Sequence, residues 1–169
     1  MVFDFEKELK VTETNIPGLL VFDLPVHGDN RGWFKENWQR AKMTALGLPD
    51  FGPVQNNISF NATKGVTRGI HAEPWDKYIS IAAGEIFGAW VDLRPGESFG
   101  QVFTTRLDPS KAIYVPRPVP HRAGTGQVVR TVRGMRVQQV EDRLGHVLRE
   151  REAPVLVVHH LSLIHISEP

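Results

Sequence analysis

KYISIAAGEIFGAWVDL, residues 77–93, decides the fold. Lys77 to Ala82 and Glu85 to Leu93 are β-branched and aromatic runs, and the Ala83-Gly84 pair between them is a turn signal, so the stretch predicts a β-hairpin. The same grammar repeats outward in both directions. Gly18 to Leu24, Val54 to Phe60, Gln101 to Leu107 and Lys111 to Val115 are further short runs, separated by Gly28-Asp29-Asn30, Arg94-Pro95-Gly96-Glu97 and Asp108-Pro109-Ser110. Asn37 to Leu46 is the single helical pattern, with Gly47 suited to close it and Pro49 just beyond. Many short strands at this spacing predict an all-β sandwich or small barrel rather than a βαβ fold. Trp33, Trp38 and Trp90 are expected to fill its core.

Composition narrows the function classes. A chain of 169 residues with 41% hydrophobic and 23% charged content suits one globular domain with a real core. A formal net charge of +1, without a polybasic run, argues against nucleic acid or an acidic membrane surface as partner. With no cysteine, disulfides and thiolate metal sites are excluded. The opening MVFDFEKELK lacks the basic and apolar regions of a signal peptide, and no window reaches the roughly 18 apolar residues of a membrane span. The expected location is the cytoplasm.

Arg68-Gly69-Ile70-His71-Ala72-Glu73-Pro74-Trp75-Asp76-Lys77 places an imidazole between two cations along one short stretch of predicted strand. Such a set suits proton abstraction, because a base works best beside groups that stabilise the negative charge it creates. Arg68 and Lys77 supply that stabilisation around His71.

From about Lys10 to Arg117 the chain resembles the dTDP-4-dehydrorhamnose 3,5-epimerase family, cupin-type jelly rolls that act on a nucleotide-linked keto sugar. Asp29-Asn30-Arg31-Gly32-Trp33-Phe34-Lys35-Glu36 is similar to D-x-R-G-x-F-x-E, and Gln55-Asn56-Asn57-Ile58-Ser59 to Q-x-N-x-S. Arg68-Gly69-Ile70-His71 is similar to R-G-[LI]-H, followed by Lys77 and by Gly84 to Arg94. The resemblance implies an all-β jelly roll with one short helix and cofactor-free, metal-free epimerisation at carbons 3 and 5 of a dTDP-4-keto-6-deoxy sugar, a step of dTDP-rhamnose and cell-wall polysaccharide synthesis. It further implies His71 as general base, Lys77 as the cation at the enolate oxygen, and Arg31, Phe34, Glu36, Gln55, Asn57 and Arg68 as substrate-binding residues: Arg31 and Arg68 for bidentate recognition of the diphosphate, Gln55 and Asn57 as sugar or phosphate donors, and Phe34 as a stacking surface for the base, with core packing as its alternative. A homodimer in which N-terminal strands pair with the partner's sheet is also implied. The variant HAEPWDK is similar to a branch whose epimerase domain is fused to a reductase domain.

The resemblance lapses after Val115-Pro116-Arg117. The family's catalytic acid is a tyrosine downstream of this point, whereas the only tyrosines here are Tyr78 and Tyr114, so the chain as written is expected to be inactive as an epimerase. The tail from Pro118 has seven arginines, no lysine and no aromatic residue, against seven lysines and six arginines in the preceding 117 residues. Such a break points to a reading-frame shift near codon 118, and the closing LSLIHISEP is similar to translated sequencing-adapter DNA. The chain is therefore expected to divide into an incomplete jelly roll, residues 1–117, and an atypical tail, residues 118–169. The Val-rich Pro154 to Val158 run stands out as too apolar for simple disorder. Two rival readings remain: a non-catalytic sugar-nucleotide binding module, and a metal-dependent cupin using His71, Glu73 and His121 as two histidines and a carboxylate.

Overall fold

The computed structural model of the protein describes residues 8–63, 66, 68, 73–117 and, in backbone, 155–161. In chain order the elements are β1 (Lys10–Glu13), β2 (Leu20–Asp23), β3 (Val26–Asp29), β4 (Gly32–Lys35), α1 (Arg40–Ala45), β5 (Gln55–Asn61), β6 (Lys77–Ala83), β7 (Ile86–Val91), β8 (Val102–Leu107), β9 (Lys111–Val115) and β10 (Val155–Leu161). Six strands form an antiparallel sheet in the order β1-β2-β9-β6-β10-β5, and β3-β4 and β7-β8 form two-stranded sheets. The all-β prediction with one short helix holds.

Period-two alternation sorts the large sheet into two faces. Ile79 and Ile81 of β6 and Ile113 and Val115 of β9 point to one side, where Ile86, Trp90 and Leu107 of the β7–β8 hairpin close over them with Ile16 and Leu19. Their neighbours Tyr78, Ala112, Tyr114, Leu20 and Phe22 point to the other, covered by Met43 of α1 together with Leu24 and Leu48. Trp90 is buried in the first core, whereas Trp38 lies at the margin of the second, edge-on to Phe51 and Tyr78, and Trp33 is exposed. Of the three tryptophans, then, Trp33 departs from the core expectation, because it belongs to a hairpin with solvent on one side.

Residues 77–93 form the predicted strand-turn-strand, with Gly84 at φ +85° turning the chain where an L side chain would be strained. The two strands belong to different sheets, however: β7 pairs with β8, and β6 runs between β9 and β10. The helix is shorter than the predicted Asn37 to Leu46, since Gln39 caps it by accepting from Lys42 N at 2.7 Å. At its other end Gly47, at φ +101°, donates to Thr44 O. The β3–β4 hairpin was masked in the sequence by Gly28-Asp29-Asn30, which reads as a loop. In the fold Asp29 pairs with Gly32 across a two-residue turn.

A strand also arises where composition set the tail apart from the jelly roll. Val155–Leu161 lies between β5 and β6, antiparallel to both. The apolar, β-branched character of PVLVV is what a strand with ladders on both sides requires.

Candidate functional site

Strand β5 supplies the first wall. Alternation puts Gln55, Asn57, Ser59 and Asn61 on one face and Asn56, Ile58 and Phe60 on the other. Gln55 Nε2 donates to Asn57 Oδ1 at 3.0 Å, as expected of residues sharing a face. At the far end of the strand, Arg68 Nε donates to the buried Asn61 Oδ1 at 2.7 Å, and its Nη2 to Phe60 O at 3.2 Å. Arg68 is thereby fixed against the strand while remaining exposed.

Lys77 opens β6 and is only 8% exposed. In register, Leu161 of β10 lies opposite both Lys77 and Gln55, so these two occupy the same rung two strands apart, about 10 Å at the usual inter-strand spacing. Directly opposed residues of antiparallel strands share a face. Lys77, Gln55 and Asn57 therefore project to the side that carries Ile79 and Ile81. Lys77 Nζ forms an ion pair with Glu73 four residues earlier, so Glu73, a ligand in the metal-cupin reading, is engaged by an ammonium group. Among the described residues no group of three or more His, Cys, Asp or Glu is placed to hold a metal ion. His71 and His121 lie outside the described residues.

A second group of predicted residues sits on the β3–β4 hairpin. His27, Arg31, Trp33 and Phe34 line a concavity of about 400 Å3. Phe34 is 69% exposed there, which excludes the core-packing alternative and leaves its ring free to stack. Asp29 holds Arg31 in place: Oδ1 accepts its backbone N–H at 2.8 Å and Oδ2 accepts Nε at 3.1 Å. The hydrogen bond from Arg31 holds the Asp29 carboxyl below the ordinary carboxylate range. Glu36, just beyond β4, accepts from Lys42 Nζ at 3.0 Å through both oxygens. The predicted residues are thus gathered in two places, with Lys77, Gln55, Asn57 and Arg68 on the large sheet and Arg31, Phe34 and Glu36 on or beside the hairpin.

Asp76 was not singled out by the sequence. It is 4% exposed, and its Oδ1 accepts from Tyr114 Oη at 2.7 Å and from Arg117 N at 2.8 Å. Arg117 Nε approaches Oδ2 to 3.4 Å. This clamp ties the start of β6 to the end of β9 and so fixes the backbone that carries Lys77. The one available signal was a carboxylate directly before that lysine. Tyr114 stands opposite Tyr78 in register, and Tyr78 Oη donates to Asn37 O at 3.2 Å, so both phenols lie on the face away from Lys77. Burial raises the pKa of each, and for Tyr114 the hydrogen bond to Asp76 raises it further.

The sequence profile described as dTDP-4-dehydrorhamnose 3,5-epimerase matches residues 13–126, which takes in every predicted site residue. The chain belongs to the dTDP-4-dehydrorhamnose 3,5-epimerase family. It is 57% identical over 121 residues to a Streptococcus pyogenes serotype M6 protein named RmlC homolog, an alignment covering 68% of this chain and 61% of that one. Against the dTDP-4-dehydrorhamnose 3,5-epimerase of Pseudomonas aeruginosa it is 37% identical over 120 residues, 67% of this chain and 65% of the relative. The chain thus spans somewhat under two thirds of the length of these relatives. The structure of Streptococcus suis RmlC in complex with dTDP-D-xylose superposes with a TM-score of 0.75 at 43% identity, covering 96% of this chain and 74% of the other. The cupin-type jelly roll is the family's fold, and the described strands follow it. No helix among the described residues is long and apolar enough to cross a membrane.

Proposed function

We propose that this chain binds a dTDP-linked 4-keto-6-deoxy sugar and carries the base-side half of a cofactor-free 3,5-epimerase. The observation that carries this reading is the placement of Lys77, Gln55 and Asn57 on one face of the sheet, with Arg68 fixed by Asn61 at the end of β5. Protons on carbons 3 and 5 of a 4-keto sugar are adjacent to a carbonyl, so removing one leaves an enolate and needs no cofactor. His71 is the base, Lys77 stabilises the enolate oxygen, and Arg31 and Arg68 meet the diphosphate while Phe34 stacks on the thymine. Inversion additionally requires an acid on the opposite face of the sugar. Tyr78 and Tyr114 are both committed to the core behind the sheet, so neither takes that role.

The reading therefore separates proton removal from inversion. Incubated in D2O with a dTDP-4-keto-6-deoxy sugar, the chain is expected to wash deuterium into carbons 3 and 5 with retention of configuration, followed by NMR. A His71→Asn variant should slow the wash-in by roughly the 100-fold typical of a positioned base. Exchange unaffected by that substitution would remove His71 from the mechanism.

A non-catalytic binding module is the second reading, favoured by the burial of both phenols. It predicts dTDP binding with no wash-in. The metal-cupin reading is opposed by the Glu73–Lys77 ion pair, and metal content after purification tests it. We also assign to the intact protein a cytoplasmic location, a homodimeric state and, by its HAEPWDK variant, a fused or partner reductase domain. Residues 118–169 are read from their composition as the product of a frame shift, a reading that the pairing of Val155–Leu161 with β5 and β6 opposes, and resequencing across codons 110 to 130 decides between the two.

A further inference from the structure

Lys35 ends β4, the strand that carries Phe34, and no role in the site follows from its place in the D-x-R-G-x-F-x-E motif. Its Nζ donates to Ile81 O at 2.7 Å and to Pro109 O at 3.0 Å, the first on β6 and the second in the turn between β8 and β9. A single ammonium group therefore joins the foot of the hairpin to two elements that are 46 and 74 residues away in sequence. Among the described residues the hairpin is a separate two-stranded sheet with no ladder to the large one, so no described strand pairing sets its position. On the β3 side the chain is held by the buried Val26, which pairs with Lys35, and by Leu24 N, which donates to Ser110 O at 2.8 Å. On the β4 side Lys35 is the anchor. Burial lowers its pKa to about 8, and the nearby Asp108 charge opposes that shift. Burying an ammonium group costs free energy, which a surface-pairing lysine would avoid by staying in water.

We propose that Lys35 is a positioning residue for nucleotide recognition, locking the β3–β4 hairpin to the jelly roll so that Arg31 and Phe34 are presented in a fixed place. The proposal rests on the reading of that hairpin as part of the dTDP site. It is tested on the full chain by titrating dTDP into wild type, Lys35→Met and Lys35→Arg, with amide hydrogen exchange measured on each. Lys35→Met keeps an apolar stem of similar length and removes both donated bonds, whereas arginine still offers donors to two carbonyls. The methionine variant is expected to bind dTDP roughly 10-fold or more weakly, the scale of losing charged hydrogen bonds. Its exchange should quicken over residues 26–35 and stay unchanged in β6 and β9, and arginine should recover most of the affinity. Wild-type affinity in Lys35→Met would overturn the proposal. So would quickened exchange throughout β6 and β9, which would make Lys35 a residue of the core and not of the hairpin. If the wild-type chain itself does not bind dTDP, the reading of the site fails, and the exchange comparison alone then decides whether Lys35 anchors the hairpin.

Discussion

At the scale of single residues the chemistry depends on cations held at defined points. Arg31 is oriented by Asp29 from a largely exposed position, with its side chain 85% accessible, so its pairing with Asp29 adds little to stability and its proposed role is to meet the diphosphate. Arg31→Ala is expected to weaken dTDP binding by about 1.5–3 kcal/mol with little change in unfolding free energy, as read by titration calorimetry and denaturant unfolding. Lys35 behaves in the opposite way. Its folded pKa of about 8 lies below its unfolded value near 10.5, so between those values the unfolded chain binds more protons than the folded one. Stability contributed by this site therefore rises with pH across that window, and the burial penalty is fully present below pH 8. Its size is about 3 kcal/mol. The difference in unfolding free energy between wild type and Lys35→Met should move in wild type's favour by about that amount between pH 7 and 10; a difference flat in pH would refute the shift.

Strands and their packing set the next scale. On β7, Trp90 folds its ring back over Gly88, so a Cβ built at Gly88 would come within 2.1 Å of the indole. The ring is buried in the core it shares with Leu107 and Ile113. Gly88→Ala should destabilise the fold by about 1–3 kcal/mol, the usual cost of overpacking, with a lower denaturant midpoint and an unchanged slope. Strand β10 makes an equally specific claim, because it is paired on both sides. Val158→Pro removes a ladder donor between Ile58 and Ser80 and should cost about 3 kcal/mol or more, whereas a tail that contributes no strand would tolerate proline there. Circular dichroism melts of the two proteins separate these outcomes.

For the whole molecule, the consequence of the fold is a division between recognition and turnover. The sheet and hairpin keep the residues proposed to meet substrate, while the two phenols sit behind the sheet in the second core. Titration should therefore show dTDP binding by the full chain, and product analysis should show no epimerised sugar. Appearance of the 3,5-inverted sugar would mean that another group protonates the enolate, and the assignment of the two tyrosines would no longer bear on activity.

The sequence alone placed six of the ten described strands, the Gly84 turn and the single helix, and it named the candidate residues of the site, because alternation, turn chemistry and short motifs are local properties of the chain. It also identified Arg68 and Lys77 as a pair of cations flanking a histidine, although His71 itself lies outside the described residues. Tertiary structure decided what pairs with what. Residues 77–93 look like one hairpin in sequence, yet β6 and β7 enter different sheets, since pairing depends on which edges meet after collapse. The hairpin holding Arg31 and Phe34 was hidden behind turn-forming residues, and its anchor, Lys35, shows its role only through carbonyls 46 and 74 residues distant. Asp76 was silent for the same reason: a buried carboxylate acquires meaning from Tyr114 and Arg117, which only folding brings within hydrogen-bond reach.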